Sequence, residues 1–387
     1  MSIDEFTLST VIDIEKNIQT KYNLNGSVFY DDQYIFACSL NFDTILIDIN
    51  TEKVVKTFTG SRRFSTISPD GKLMCSGSSD KTVKIWNITT GECIKTLEEH
   101  EIVYVVSFSP KGDLICSGSS DKTVKIWNIT TGECIKTLKG HENTVRSVSF
   151  SPEGDLICSG SLDKTVKIWN ITTGECIKTL KGHENAVRSV SFSPEGDLIC
   201  SGSSDNTVKI WNITTGECIK TLKRHESVSS ELDKLIAKFS PVDNNIICSA
   251  STVDQKMKIW NKEEEKENKI NLYDDPLSID FSKNGKRICC SLHNNKIMII
   301  ETLEELRKEL RKELKIKELK IIIEEKQKKH FYVHGITRII NEILEEEEKA
   351  VKDGRKRRSK SRKRSKRRKR SKSRKRSKRR KRRTRIL

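Results

Sequence analysis

Apolar and polar residues alternate in short stretches along the middle of the chain. Residues 145–151 (VRSVSFS) place apolar side chains at nearly every second position, which is typical of a half-buried β-strand. Proline and glycine in the following segment, 151–154 (SPEG), suit a tight turn. Three further strands are predicted at 156–159, 165–171 and 176–180. This stretch therefore predicts four short antiparallel strands joined by turns.

The four-strand pattern is an internal repeat. A tryptophan marks each copy, and successive tryptophans are roughly 42 residues apart. The tryptophans are Trp86, Trp127, Trp169, Trp211 and Trp260. A single sheet of this kind can bury its faces only against neighbouring copies, so we predict an all-β fold of stacked four-stranded blades, a β-propeller.

The repeats also resemble the WD-repeat β-propeller family. Gly140-His141 and Gly182-His183 stand where that family has its Gly-His pair, and each tryptophan is followed by asparagine where the family has Trp-Asp. The resemblance is specific over residues 68–226 and weaker over 20–302. Counting repeats predicts seven blades, with six or eight as the alternatives because the repeats at the two ends match least well.

The chain divides into three predicted regions. Residues 1–302 are the propeller, and the N-terminal segment 17–23 (NIQTKYN) supplies the outer strand of the last blade, so that the ring closes without an unpaired edge. Residues 303–353 are predicted to be a charged amphipathic helical extension. Whether this extension packs on the propeller or self-associates is left open, as is the oligomeric state. Residues 354–387 are predicted to be a disordered tail rich in lysine, arginine and serine.

Histidine, serine, aspartate and tryptophan recur at fixed spacing in the repeats. The family resemblance implies that they form a hydrogen-bonded tetrad inside each blade, since a buried indole N–H and a buried carboxylate need partners. One active site does not need four copies, so we interpret the sets as structural and expect no catalytic residue. The sets are His100, Ser117, Asp121 and Trp127; His141, Ser159, Asp163 and Trp169; His183, Ser201, Asp205 and Trp211; and His225, Ser249, Asp254 and Trp260.

The twelve cysteines follow the repeat rather than the spacing of metal ligands. Equivalent cysteines lie a whole blade apart, and no CxxC pair occurs. We therefore predict reduced thiols that act as small buried hydrophobic residues, and we expect no metal and no cofactor.

Positions at which nearly identical repeats differ are candidates for partner contacts. One such position lies six residues before the proline of each first turn, and in the sixth repeat it is Leu235. The resemblance implies that these positions ring the narrow face near the central channel. Arginine and tyrosine there favour an acidic or phosphorylated partner segment, and drift among recently duplicated repeats is the alternative. The candidates are Arg63, Ile102, Tyr104, Thr144, Arg146, Leu162 and Arg188.

Charge is concentrated at one end of the chain. The formal net charge is +19, yet residues 355–385 hold 24 lysines and arginines and no acidic residue, so the rest of the chain is mildly acidic. Basic clusters of this kind neutralise phosphates without reading bases, which predicts non-specific nucleic-acid binding, nuclear import or both. The clusters are Arg355, Lys356, Arg357 and Arg358; Lys366, Arg367, Arg368, Lys369 and Arg370; and Lys378, Arg379, Arg380, Lys381 and Arg382. Candidates for phosphorylation beside them are Ser359, Ser361, Ser365, Ser371, Ser373 and Ser377.

Together these features predict a non-enzymatic protein-interaction scaffold with a nucleic-acid-binding or import-directing tail. The alternative is an adaptor that acts only through protein contacts, with the tail serving purely as a localisation signal. No stretch approaches the ~20 apolar residues that cross a bilayer, and residues 1–5 lack the features of a signal peptide. We therefore expect an intracellular protein without membrane contact, with the nucleus favoured over the cytoplasm.

Overall fold

The computed structural model describes residues 6–17, 23–39, 43–60, 65–222, 233–263 and 266–302. These residues all belong to one compact unit, Met1–Thr302. The predicted helical extension, 303–353, and the predicted basic tail, 354–387, lie outside the described residues.

The described strands form seven four-stranded antiparallel sheets, which are the blades of a propeller. Strand β1 (Phe6–Asp13) and the helical turn α1 (Ile14–Asn17) come first in the chain. Blade 1 contains β2 (Leu24–Phe29), β3 (Tyr34–Ser39), β4 (Thr44–Asp48) and β5 (Val54–Phe58); blade 2 contains β6 (Ser65–Ile67), β7 (Leu73–Gly77), β8 (Val83–Asn87) and β9 (Cys93–Leu97); blade 3 contains β10 (Val103–Phe108), β11 (Leu114–Ser119), β12 (Val124–Asn128) and β13 (Cys134–Leu138). Blade 4 contains β14 (Val145–Phe150), β15 (Leu156–Ser161), β16 (Val166–Asn170) and β17 (Cys176–Leu180); blade 5 contains β18 (Val187–Phe192), β19 (Leu198–Ser203), β20 (Val208–Asn212) and β21 (Cys218–Leu222). Blade 6 contains β22 (Leu235–Phe239), β23 (Ile246–Ser251), β24 (Lys256–Asn261) and β25 (Lys266–Asn271); blade 7 contains β26 (Pro276–Phe281), β27 (Arg287–Leu292) and β28 (Lys296–Thr302).

Strand β1 completes blade 7 by pairing with β28 in antiparallel fashion, with Phe6 opposite Thr302 and Asp13 opposite Lys296. The prediction that residues 17–23 supply this outer strand is therefore wrong, because the closing strand lies earlier in the chain and α1 ends at Asn17. The physical reason is apolar content. Phe6 packs in the core between blades 6 and 7, and Ile12 packs in the core between blades 7 and 1, whereas the segment NIQTKYN is mostly polar.

The hydrophobic core lies between neighbouring blades rather than inside each sheet. Between blades 3 and 4, for example, Ile126 packs in one buried cluster with Phe150 and Trp169. Gly118 of β11 lies at this interface, and a Cβ atom there would come within 2.8 Å of Val145 Cγ1. The two sheets therefore approach too closely for a side chain at this position. Each blade thus depends on its neighbours for burial, as expected of a repeat fold.

The first strand of most blades contains a β-bulge. Register shifts occur between Val103 and Val105 in β10, and at the equivalent places in β14, β18, β2 and β26. The inserted residues are Asn25, Tyr104, Arg146, Arg188 and Leu277. A bulge leaves one residue outside the pairing and re-aims its side chain. Strand β22 pairs with β23 without such a shift.

All twelve cysteines lie among the described residues, and none of them forms a disulfide. Eight are buried, and burial raises the pKa of Cys200, for example, to about 12. Cys93, Cys176 and Cys218 are exposed, and Cys134 is partly exposed. The prediction that these four are buried is wrong, because they begin the outer strands of blades 2 to 5, which face solvent. No helix within the described ranges has the length and apolarity needed to cross a membrane.

Candidate functional site at the channel mouth

Blade 3 contains a chain of hydrogen bonds made by four side chains. The Trp127 indole N–H donates to Ser117 Oγ at 2.7 Å, and the same oxygen lies 2.7 Å from His100 Nε2. His100 Nδ1 lies 2.6 Å from a carboxylate oxygen of Asp121. Because the Asp121 carboxylate can only accept, the imidazole proton lies on Nδ1 and points at it; in the neutral ring, Nε2 then accepts from the serine O–H, whose oxygen accepts from the indole.

Blades 4 and 5 contain the same arrangement, and their six corresponding distances lie between 2.6 and 2.8 Å. The residues are His141, Ser159, Asp163 and Trp169 in blade 4, and His183, Ser201, Asp205 and Trp211 in blade 5. In blade 6 the Trp260 indole donates to Ser249 at 2.8 Å, and Asp254 lies in the turn before β24. His225, the remaining member of that predicted set, lies outside the described residues.

The tetrad carboxylates remain ionised. Burial disfavours the charge of Asp163, but hydrogen bonds from His141 and Thr165 hold the pKa of its carboxyl well below the usual value, and Asp121 and Asp205 behave alike. The central serines are fully buried, so their hydroxyls cannot reach a substrate. Each tetrad therefore connects the loop before the first strand of its blade to the turn between the second and third strands. They offer no accessible nucleophile.

The first strands of all seven blades line a central channel, which holds a cavity of about 400 Å³. Because all seven first strands run in the same direction along the channel, the residues at their starts lie at the same end of it. The side chains of Tyr104, Arg146, Arg188, Lys234, Asn25 and Leu277 line the cavity at this end, which we call the channel mouth. Three of the six are cationic.

Like charges face one another at the channel mouth. The guanidinium carbon of Arg146 lies 3.9 Å from the centre of the Tyr104 ring, and Arg188 Nε donates to Ser204 Oγ at 2.9 Å. Burial, and then the charge of Arg146, lower the pKa of Arg188 below its usual value. The mouth therefore concentrates positive charge, and a bound anion would relieve the repulsion.

The other predicted face residues lie elsewhere. Ile102 and Thr144 are half-buried, and their carbonyl groups accept hydrogen bonds from the backbone of the facing turn; for Thr144 the donor is Leu162 N–H, at 3.0 Å. The side chains of Ile102, Thr144 and Leu162 do not line the channel cavity. Arg63 lies outside the described residues.

Counting back from the proline of the first turn predicts that Leu235 occupies the same structural position as Arg146 and Arg188. The structure shows that it does not. Since β22 has no bulge, Leu235 pairs with Ser251 as Val187 pairs with Ser203, and it is fully buried. The preceding residue, Lys234, lines the mouth instead. The sequence contains a signal for this difference. Apolar residues in β22 follow the strict alternation L-x-A-x-F, whereas those in β18 follow V-x-x-V-x-F, in which one extra residue interrupts the alternation at the bulge.

Lys234 is thus a third cation of the channel mouth that the sequence comparison missed. Burial, followed by the charges of Arg188 and Arg146, lowers the pKa of Lys234, while the Asp275 carboxylate acts in the opposite direction. The two arginines are therefore near enough to Lys234 to repel it.

The deeper part of the channel is electrically balanced. Lys238 forms an ion pair with Asp280, and the Phe29 backbone N–H donates to the second carboxylate oxygen of Asp280 at 3.1 Å. Although burial opposes its charge, the Asp280 carboxylate raises the pKa of Lys238 above its usual value. Lys238 of blade 6 thus has its carboxylate partner on blade 7.

Seven four-stranded blades, tetrads inside the blades and a channel lined by the first strands define a β-propeller of the kind that serves as an interaction platform. The family model described as "WD domain, G-beta repeat" matches residues 52–87, 91–128, 132–170, 174–212 and 216–261. The chain therefore belongs to the WD40 repeat family. WD40 propellers generally bind protein partners and are typically non-enzymatic.

Curated proteins also match one part of the chain. The "Ribosome biogenesis protein BOP1 homolog" of Drosophila virilis is 50% identical over 55 residues, that of Drosophila willistoni is 46% identical over 55 residues, and that of Drosophila persimilis is 52% identical over 55 residues. Each match covers 14% of this chain and 7% of the relative. A match of this length covers little more than one repeat, so the similarity lies in the repeat unit.

Proposed function

We propose that this protein is a non-enzymatic scaffold that binds an acidic or phosphorylated segment of a partner protein at the channel mouth. The convergence of Arg146, Arg188 and Lys234 on one cavity is the observation that supports this proposal. A volume of about 400 Å³ falls in the range of sites that accept side chains or small groups. Charge-assisted hydrogen bonds from guanidinium groups are among the stronger polar interactions available to such a site.

The basic tail gives the proposed scaffold a second activity, either non-specific nucleic-acid binding, direction of nuclear import, or both. Its support is composition alone: 24 basic residues with no acidic one among residues 355–385. No aromatic side chain occurs in that stretch, so base stacking is not available and contacts would go to phosphates. We favour a nuclear location on the same grounds, and the names of the curated relatives are compatible with it.

A salt series tests the tail. The full chain, a chain ending at Asp353, and a full-length variant with every basic residue of 355–385 replaced by glutamine are compared for binding to random duplex DNA and RNA. The proposal expects affinity that falls steeply with salt for the full chain alone. If all three bind equally, or if the full chain does not bind at physiological salt, nucleic-acid binding is wrong. The adaptor that uses the tail purely as a localisation signal then remains.

Partner capture tests the channel mouth. The double variant Arg146→Glu, Arg188→Glu should lose proteins that the wild-type chain captures from a cell extract. Lys111→Glu, Lys139→Glu is the matched control, since both of its residues are exposed, lie outside the channel and carry the same charge. If both variants capture the same proteins as the wild type, the channel mouth is not the binding site.

A further inference from the structure

We infer that a cavity between blades 4 and 5 binds the carboxylate of an aspartate or glutamate side chain of a partner protein, with Lys167 as the residue that binds it. The cavity has a volume of about 480 Å³. It lies outside the central channel, and the two cavities have no described lining residue in common. The inference therefore goes beyond the proposed function and does not depend on the channel mouth.

The third strand of blades 2 to 6 has a lysine at one equivalent position, opposite the serine that accepts from the indole. In blades 2, 3 and 6 the ammonium group of this lysine lies 3.2 to 3.4 Å from a carboxylate oxygen. Among the described residues, none provides a carboxylate partner for Lys167 of blade 4 or Lys209 of blade 5. The three pairs are Lys84 with Asp80, Lys125 with Glu99, and Lys258 with Glu267.

Blade 3 shows how a carboxylate binds beside this lysine. Lys125 and Lys167 each donate to the threonine of the neighbouring outer strand, at 3.2 and 2.9 Å, so their ammonium groups are placed alike. Lys125 also donates to a carboxylate oxygen of Glu99 at 3.3 Å. In blade 4 the position of Glu99 is taken by Gly140, and both Gly140 and Lys167 line the cavity. The Glu99 side chain is therefore a model, within the same chain, of the bound carboxylate.

The backbone at the position of Glu99 favours glycine. The angle φ is 146° at Gly140 and 143° at Gly182, and Glu99 takes a similar φ of 122°, which a residue with a side chain rarely adopts. Glutamate is therefore strained at this position. In blade 4 glycine removes both the strain and the internal carboxylate, which leaves the space beside Lys167 open.

The charge of the cavity wall suits one carboxylate. Three lysines and two acidic residues line it, so its net charge is about +1 when the imidazole of His183 is counted as neutral. The Asp163 carboxylate already accepts from His141 and Thr165, at 2.6 Å each. A monoanion balances the net charge, whereas a phosphate ester of −1.5 to −2 exceeds it. The smaller cavity beside Lys209, about 330 Å³, has one lysine and two acidic residues in its described lining, so we assign the site to blade 4.

The test uses the full chain and two fluorescent peptide pools that differ only at the central residue, glutamate or glutamine, and contain no other charged side chain. Binding is measured by anisotropy at physiological salt. Lys167→Gln removes the cation, and Gly140→Glu places a carboxylate beside it. Lys111→Gln is the control, because it changes the net charge equally and Lys111 is exposed and lies outside the cavity. The basic tail is the same in every variant, and thermal unfolding checks that each is folded.

We expect the glutamate pool to bind the wild type and Lys111→Gln at least roughly fivefold more tightly than the glutamine pool does. Lys167→Gln and Gly140→Glu should each lose at least roughly fivefold of the affinity for the glutamate pool, since one lacks the donor and the other fills the space.

Opening the equivalent space in blade 3 provides a test by gain of binding. Glu99→Gly leaves Lys125 without its carboxylate partner and should increase binding of the glutamate pool. Glu133→Gln is the control, since Glu133 is exposed and its replacement changes the net charge equally. Equal binding by these two variants would contradict the view that Glu99 occupies a carboxylate site.

Two further results would overturn the inference: equal binding of the glutamate and glutamine pools, or equal binding by Lys167→Gln and Lys111→Gln. The channel-mouth variant Arg146→Glu, Arg188→Glu is measured alongside them. If glutamate-dependent binding is lost in that variant and kept in Lys167→Gln, the inference is wrong while the proposal for the channel mouth stands.

Discussion

The tetrads and the channel mouth both hold charged side chains in partly buried places, but they treat the charge in opposite ways. In a tetrad, the Asp163 carboxylate accepts hydrogen bonds from His141, Thr165 and a backbone N–H, and the network repeats from blade to blade. At the mouth, Arg146, Arg188 and Lys234 repel one another, and these residues differ among the blades. The comparison teaches that residues shared by the blades form hydrogen-bond networks that stabilise the fold, whereas residues that differ between blades gather positive charge at one end of the channel.

Breaking one tetrad should have the largest effect on stability. Asp163→Ala leaves the buried His141 Nδ1–H without its acceptor and unties the loop before β14, so we expect a loss of about 2 to 4 kcal/mol in the free energy of unfolding. Urea unfolding followed by tryptophan fluorescence measures it.

Asp80→Ala in blade 2 is the matched control for that substitution. Asp80 occupies the equivalent turn but is exposed, and it bonds to Thr82 and Lys84. Its replacement should cost less than about 1 kcal/mol. Equal losses for the two variants would contradict the view that the complete tetrad is the stabilising unit.

The next largest effect is on the pH dependence of the free energy of unfolding, to which the tetrads should contribute and the channel mouth should not. The depressed pKa values of Asp121, Asp163 and Asp205 mean that their stabilising contribution is complete above the unfolded-state value of about 3.9 and is lost as the pH falls from there toward the folded-state values. Asp163→Asn should therefore lower stability at neutral pH and flatten its decline below pH about 4. Arg146→Ala should leave the slope of that decline unchanged. Denaturant titrations at a series of pH values measure both, and a wild-type slope in Asp163→Asn would refute the assignment.

The channel mouth should matter little for stability. Arg146→Ala, Arg188→Ala removes the contact with the Tyr104 ring and the hydrogen bond to Ser204 but also relieves like-charge repulsion, so the free energy of unfolding should change by less than about 1 kcal/mol. Differential scanning calorimetry compares it with the wild type. A loss as large as that of Asp163→Ala would show that the arginines are structural.

The smallest expected effect is a pKa change within the mouth. Arg188→Gln removes a positive neighbour of Lys234, which favours the ammonium form, so the pKa of Lys234 should rise toward its usual value. Nuclear magnetic resonance of ¹³C-methylated lysines, with Lys139 as the exposed reference, follows the titration. An unchanged or lower Lys234 value would mean that the two side chains do not interact.

The blade architecture was predictable because its signals are local and repeated. The SPEG turn and the alternation in 145–151 each occur within one repeat, and a tryptophan recurs in successive repeats. The prediction of seven blades agrees with the sheet order. Residues that recur at fixed offsets, such as His141 and Trp169, come together because the strands between them are short and tightly connected.

The remaining features depend on register and on contacts between distant parts of the chain. Lys234 reaches the mouth because one bulge is missing from β22, a difference of one residue that counting from the proline hides. The closing strand was misplaced because its partners, β28 and the apolar residues around it, lie almost 300 residues away in sequence. Neither repeat period nor local alternation specifies such a pairing.

The pairing of β1 with β28 also has a consequence for synthesis. The ring cannot close until Thr302 has left the ribosome, long after Phe6. At about 5 to 20 residues per second, this interval lasts about 15 to 60 s. Blades 3 to 5 can stack on one another during that time, while β1 and the open edge of blade 1 remain exposed because their partners in blade 7 have not yet been synthesised. The nascent chain is therefore at its most vulnerable to aggregation at its N-terminal end, and chaperone binding should be concentrated there.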